Sequence, residues 1–279
     1  MTATTVTGNR DTATPGGTPA LVVVAHGSRD PRALSTVRAL LDRVRALRPA
    51  LPVHLGHIEL NEPLLPGTLT ALGDGEAVLV PLLLGRGYHV KRDIPDMAAA
   101  SPARTRVAAP LGPHPLLVDA LHARLTEAGW PARPAPDHAV VLASAGSRDP
   151  ESRADTSRTA ALLAARLGVP VVPAYASAAT PTVPEAIRTL TARGHRRIAL
   201  ASCFTAPGRF ATQCAAAAPW IASAPLGTHP SMARLLLHRY DRARGAGGEA
   251  NAPEGARDCF DVRLRRGARP VTPHAALAR

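Results

Sequence analysis

Three short stretches of this chain concentrate the side chains that can bind a metal ion or move a proton. They are His26-Gly27-Ser28-Arg29, His57-Ile58-Glu59-Leu60-Asn61-Glu62-Pro63, and Gly85-Arg86-Gly87-Tyr88-His89-Val90-Lys91-Arg92-Asp93-Ile94-Pro95. Two imidazoles and a carboxylate, from His26, His89 and Glu59, suit a borderline divalent metal and leave positions open for a substrate. Imidazole as a side-chain type also changes charge near neutral pH, so it can accept a proton as well as a metal. Glycines beside both histidines let backbone and ligand approach closely. The remaining histidines have a plainer account. His54, His114, His122, His195, His229 and His238 read as hydrogen-bonded structural groups. His57 shares a strand face with Glu59 under period-two alternation, but packing explains it better. Glu62 can equally cap a helix starting at Pro63.

An internal repeat supplies a control on that choice. LVVVAHGSRDP (21–31) returns as VVLASAGSRDP (140–150), 119 residues later, and APLGPHP (109–115) returns as APLGTHP (224–230), 115 residues later. The chain is therefore a tandem duplication, with units over 20–130 and 138–244 joined by the stiff linker Pro131-Ala-Arg-Pro-Ala-Pro136. In the second copy Ala145 stands opposite His26 and Ser177 opposite Glu59. Opposite His89 stands Arg209 or Phe210, and opposite His57 stands Tyr175. Gly146-Ser147-Arg148-Asp149-Pro150 is kept while all three ionisable groups are gone. Joint loss from one copy marks His26, Glu59 and His89 as acting together in the other.

What must position them is a set of alternating short apolar runs and helical patterns. The first unit predicts strands over 21–25, 53–58, 77–83 and 104–108. It predicts helices over 31–47, 64–72, from about Asp93, and over 115–127. Asp30 followed by Pro31 is a helix start. The second unit predicts strands over 139–144, 169–174 and 197–201. Continuous apolar strands between helices predict an α/β fold of two tandem lobes, each a parallel sheet with helices on both faces. Ligands of such sheets sit beyond the carboxyl ends of the strands, where the three stretches fall.

The segments VVVAHGSRDP, IELNEPLL and PLLLGRGYHVKRDIP resemble the CbiX/SirB family of sirohydrochlorin chelatases, in its long two-domain form. The resemblance covers 20–128 well and runs on, degenerately, to about 244. It implies a chelatase-like fold, two similar lobes around one cleft. It also implies insertion of Fe²⁺ or Co²⁺ into sirohydrochlorin, for sirohaem or cobalamin synthesis. Metal-binding histidines fall on His26 and His89, and the acidic residue on Glu59. His57 stands where the family commonly has an aromatic residue. The metal is then a substrate, and no tightly bound cofactor is expected. An eight-carboxylate substrate needs positive and donor groups: Ser28, Arg29, Arg86, Lys91 and Arg92 around the histidines, with Arg148 from the other lobe. The family's histidine-rich stretch and iron–sulfur cysteine motif are missing from this tail. The rival reading is a non-catalytic tetrapyrrole- or metal-binding protein of the same fold, for which Glu59 would be dispensable.

Composition narrows the field. Lys and Arg number 33 against 21 Asp and Glu, for a formal charge of +12, yet Lys91 is the only lysine and aromatics are 3%. Nucleic-acid surfaces pair basic clusters with stacking aromatics, so nucleic acid is not an expected partner. G-x-G-x-x-G after the first strand and a P-loop are both missing. No apolar run approaches the ~18 residues of a membrane span. Cys203, Cys214 and Cys259 have no metal-type spacing, which fits a reduced, cytoplasmic enzyme; with the two lobes around one cleft that the resemblance implies, a monomer is expected. Residues 1–19 read as a disordered leader without signal-peptide features, and 245–279 as a disordered tail.

Overall fold

The computed structural model describes residues 18–246; nearly all of the expected leader and tail lies outside the described residues. The first lobe runs β1 (Ala20–Ala25), α1 (Pro31–Leu47), β2 (Val53–His57), α2 (Leu65–Ala71), β3 (Glu76–Pro81), α3 (Ile94–Ala99), β4 (Arg104–Val107) and α4 (Pro115–Glu127). The second runs β5 (His138–Ser144), α5 (Pro150–Leu167), β6 (Val171–Tyr175), α6 (Val183–Ala192), β7 (Arg197–Ser202), α7 (Arg209–Ala216) and α8 (Pro230–Gly245). Both sheets are parallel, ordered β2-β1-β3-β4 and β6-β5-β7. A single bridge between Leu200 and Ala222 stands where the second lobe would carry a fourth strand. The central strands β1 and β5 are buried from end to end, as helices on both faces require.

α1 begins where the Asp30-Pro31 pair places it. The Asp30 carboxylate accepts the Arg32 N–H at 3.0 Å, and Ala33, Val37, Leu40, Leu41 and Val44 give it one buried stripe. α5 repeats the device through Asp149 and Glu151. The helix expected from about Asp93 differs at its start. A single π-helical turn, His89–Asp93, precedes α3, and it is this turn that carries the third stretch of candidate residues.

The last helices of the two lobes are exchanged. α4 packs on α5 and β7 of the second lobe, while α8 packs on α1, β3 and β4 of the first, and the two helices lie against each other. The main core consequently runs through the whole molecule, joining Leu21, Val23, Val78 and Val80 to Val140, Leu142, Leu163, Leu236 and Tyr240. Smaller cores fill the outer faces, around Val22, Val24 and Leu79 in one lobe and Val141, Ala143 and Leu200 in the other. Further ties fix α8 to the first lobe. The Tyr240 hydroxyl donates to the Pro19 carbonyl at 2.6 Å, and Arg48 pairs with Asp241 through both carboxylate oxygens.

Candidate metal and substrate site

The carboxyl ends of β1 and β2 are laced together beyond the last ladder bonds. The Ile58 N–H donates to the Ala25 carbonyl at 2.9 Å and the Glu59 N–H to the His26 carbonyl at 3.1 Å. That lacing brings the Glu59 backbone over Gly27, which has φ +102°; a Cβ on Gly27 would collide with the Glu59 carbonyl oxygen. Only glycine fits there. The result is a short approach between side chains, with His26 Nδ1 3.6 Å from Glu59 Oε1 and both groups about half exposed. The second lobe repeats the backbone device. Ser177 N–H donates to the Ala145 carbonyl at 3.0 Å, and Gly146, at φ +94°, meets the Ser177 carbonyl as Gly27 meets that of Glu59. The scaffold is shared and the ligands are not.

The third stretch arrives from β3. His26 and His89 lie edge to face, ring centroids 4.7 Å apart at 89°. His89 Nδ1 is 2.5 Å from the Asp93 carboxylate, one π-turn along. With the Nδ1 proton directed at Asp93, Nε2 keeps its lone pair for a metal. The three expected groups thus meet as two adjoining pairs, His26–Glu59 and His26–His89; among the described residues no set of three stands at coordination geometry. β3 and β7 start at Glu76 and Arg197, and counting equal steps from each puts Phe210 opposite His89.

The groups expected to hold substrate divide in two. Arg29, Arg92 and Arg148 are exposed. Arg86 and Lys91 are engaged across the lobes. The Arg86 backbone N–H and Nε donate to Asp155 Oδ2 at 2.9 and 3.0 Å, and Nη2 to Oδ1 at 2.7 Å. Lys91 Nζ is 2.7 Å from Asp149 and 3.1 Å from Glu151. Asp149, then Glu151, raise the Lys91 ammonium above the ordinary lysine value, and Lys91 in turn lowers the Asp149 carboxyl. The Ser28 N–H is taken by Asn61 Oδ1 at 2.7 Å, and the Ser28 hydroxyl accepts from the Asp30 N–H at 3.1 Å, leaving its own O–H to donate.

Of the histidines read as hydrogen-bonded structural groups, two show the bond plainly, while His195 Nδ1 is buried without a hydrogen-bond partner. His114 and His229 cap α4 and α8, each accepting an N–H through Nδ1. His57 is buried against the Pro63 carbonyl, and burial lowers its imidazole below the ordinary 6.5. Glu62 accepts the Leu64 N–H at 2.9 Å just ahead of α2. Sequence reasoning missed Asp93 and Asn61. For Asp93 a signal existed, the i, i+4 spacing from His89 on a helical turn; for Asn61, reaching back 33 residues to Ser28, there was none.

A family model described as CbiX matches residues 20–128 and 139–243. The sirohydrochlorin ferrochelatase of Bacillus subtilis is 32% identical over 181 residues, 61% of this chain and 68% of that protein. The sirohydrochlorin cobaltochelatase of Methanococcus aeolicus is 36% identical over 81 residues, 28% of this chain and 57% of that protein. Among solved structures, SirB from Bacillus subtilis with Fe3+ superposes with a TM-score of 0.69 at 26% identity, over 83% of this chain and 98% of that one.

Proposed function

We propose that this chain, which belongs to the CbiX family, inserts Fe²⁺ or Co²⁺ into sirohydrochlorin. One observation carries the reading. His26 and His89 meet ring to ring at the strand ends with the Glu59 carboxylate beside His26, and the second lobe keeps their scaffold without them. In the reaction the ion replaces two pyrrole N–H protons; metal–nitrogen bonds form and two protons leave. His26 and His89 would deliver the ion through open imidazole nitrogens; Glu59 takes one departing proton and an imidazole that has given up the ion takes the other. Asp93 holds the His89 ring and its tautomer. Substrate carboxylates meet Ser28, Arg29, Arg92 and Arg148, charge-assisted bonds of the stronger kind, while Arg86 and Lys91, already paired with Asp155, Asp149 and Glu151, join the two lobes beside them.

Similarity to a ferrochelatase and a cobaltochelatase supports both ions, and imidazole with carboxylate accepts either. A monomer in the reducing cytoplasm completes the reading, supported by the buried, unpaired Cys203 and Cys214. No helix among the described residues is long and apolar enough to cross a membrane. The test is loss of free sirohydrochlorin absorbance with purified protein and each ion. His26→Ala and His89→Ala are expected to remove nearly all of the rate while the circular-dichroism melt stays in place. No acceleration over the protein-free rate with either ion would end the chelatase reading; tight binding without insertion, indifferent to Glu59→Gln, would favour a carrier.

A further inference from the structure

The residue after Glu59 is oddly chosen. Leu60 sits at φ +68°, in the left-handed region, which strains any side chain with a Cβ and is ordinarily given to glycine or asparagine. The bend itself is demanded by the scaffold, because Ala178 holds it at φ +57° in the second lobe, beside the same glycine collision. Packing does not demand leucine, since Leu60 is 50% exposed. A large apolar side chain is therefore kept, against conformational preference and half in water, at the shoulder of Glu59 and against the Gly27 turn.

Two more exposed apolar groups flank the same place. Tyr88 is 67% exposed with its ring centroid 6.5 Å from that of His89. Phe210, 37% exposed, is the counterpart of His89 by equal steps from the starts of β3 and β7. It lies two residues beyond Gly208, where an added Cβ would stand 3.9 Å from Ser28 Oγ. Six large apolar side chains are exposed among the described residues, and three of them fall on the segments that follow β2, β3 and β7, more than the usual scatter would give.

Resting on the chelatase reading, we infer that Leu60, Tyr88 and Phe210 form an apolar seat for one face of the substrate macrocycle. The ligand class is a flat conjugated ring with apolar faces and a carboxylate fringe. Its faces gain from leaving water and from lying on aromatic rings, and its fringe meets the arginines. The seat sets the ring over His26 and His89, and it discriminates against metal-binding polycarboxylates that lack a flat face.

Two substitutions at Leu60 separate ligand contact from structure. Leu60→Ala keeps the strained backbone and removes the contact. Its KM for sirohydrochlorin should rise about five- to tenfold with kcat little changed, and its melting temperature should stay within about 1 °C. Leu60→Gly removes contact and strain together, so it should show the same KM with a melting temperature about 1–3 °C higher. Metal-free binding, read by quenching of sirohydrochlorin fluorescence, should weaken in parallel in both, and in Tyr88→Ala and Phe210→Ala. Unchanged binding and KM in Leu60→Ala would overturn the seat, as would an equal loss of Co²⁺ affinity without macrocycle, which would put the effect on Glu59. A parent protein that binds the macrocycle through these residues yet inserts no metal would uphold the seat and end the chelatase reading.

Discussion

At the scale of single residues, the proposed site separates groups that would touch the metal from groups that would aim them. Asp93 belongs to the second kind, since its carboxylate lies on His89 Nδ1 and leaves the other nitrogen free. Carboxylates that orient a metal-binding histidine are typically worth ten- to a hundredfold in metal affinity. Asp93→Asn should accordingly weaken Co²⁺ binding, followed by its visible absorption, by about that factor, with the fold intact. An unchanged affinity would reduce Asp93 to a link in the π-turn. His57 makes the opposite case, a histidine two residues from Glu59 that we propose has no part in the chemistry. Burial keeps it neutral in the folded chain, whereas the unfolded chain protonates near the ordinary 6.5. Its lowered folded pKa therefore means stability that is full above about pH 6.5 and is lost as pH falls through the folded value. His57→Tyr copies the buried Tyr175 of the second lobe. It should keep metal insertion and lose less melting temperature between pH 7 and pH 5 than the parent does. A collapse of activity would return His57 to the candidate ligands.

At the scale of elements, the strand-end turn is the unit that evolution copied and then used once. Gly27 and Gly146 do the same backbone work, so Gly27→Ala and Gly146→Ala should each cost on the order of 3 kcal/mol, or roughly 6–12 °C of melting temperature. Only Gly27→Ala should also abolish Co²⁺ binding, because only its turn holds His26 against Glu59. Equal metal affinity in the two variants would contradict that division of labour. The elements themselves were largely legible. Apolar runs between helical patterns gave both parallel sheets, and the Asp30-Pro31 start placed α1 at Pro31–Leu47 as expected. The three candidate groups were legible too, because the repeat showed which side chains one copy had discarded. What stayed hidden was geometry that no local pattern encodes. The π-turn is closed by the Ile94 N–H reaching back to the His89 carbonyl, and Asn61 is placed by a hydrogen bond to a different strand end. The Arg86–Asp155 pair spans 69 residues and exists only because the lobes dock.

At the scale of the whole molecule, the duplication is knitted together in a way its sequence symmetry conceals. Each lobe lends its last helix to the other, and the shared core puts Leu236 and Tyr240 of α8 among the residues around β1 and β3. One crossing between the two lobes is also clamped by charge. Asp155 has a side chain only 2% exposed and Arg86 one that is 40% exposed. That asymmetry of burial makes a prediction that also decides what Arg86 does. Removing Arg86 strands a buried carboxylate, which for a broken buried pair costs about 3–5 kcal/mol. Asp155→Asn leaves a neutral group behind and a guanidinium that can still reach water and Glu151, so its cost should be smaller. If Arg86 serves as a clamp, the two variants should raise the KM for sirohydrochlorin by similar factors, because both loosen the same wall. If it instead grips a substrate carboxylate, only Arg86→Ala should raise KM, by roughly ten- to a hundredfold for a lost charge-assisted bond. Asp155→Asn would then bind as well as the parent or better, its arginine released toward the cleft. The geometry, with Arg86 Nε and Nη2 both taken by Asp155 and Nη1 facing Glu151, favours the clamp. Steady-state kinetics of the two variants, read beside their melting temperatures, give one pattern or the other, and a KM rise confined to Arg86→Ala would refute it.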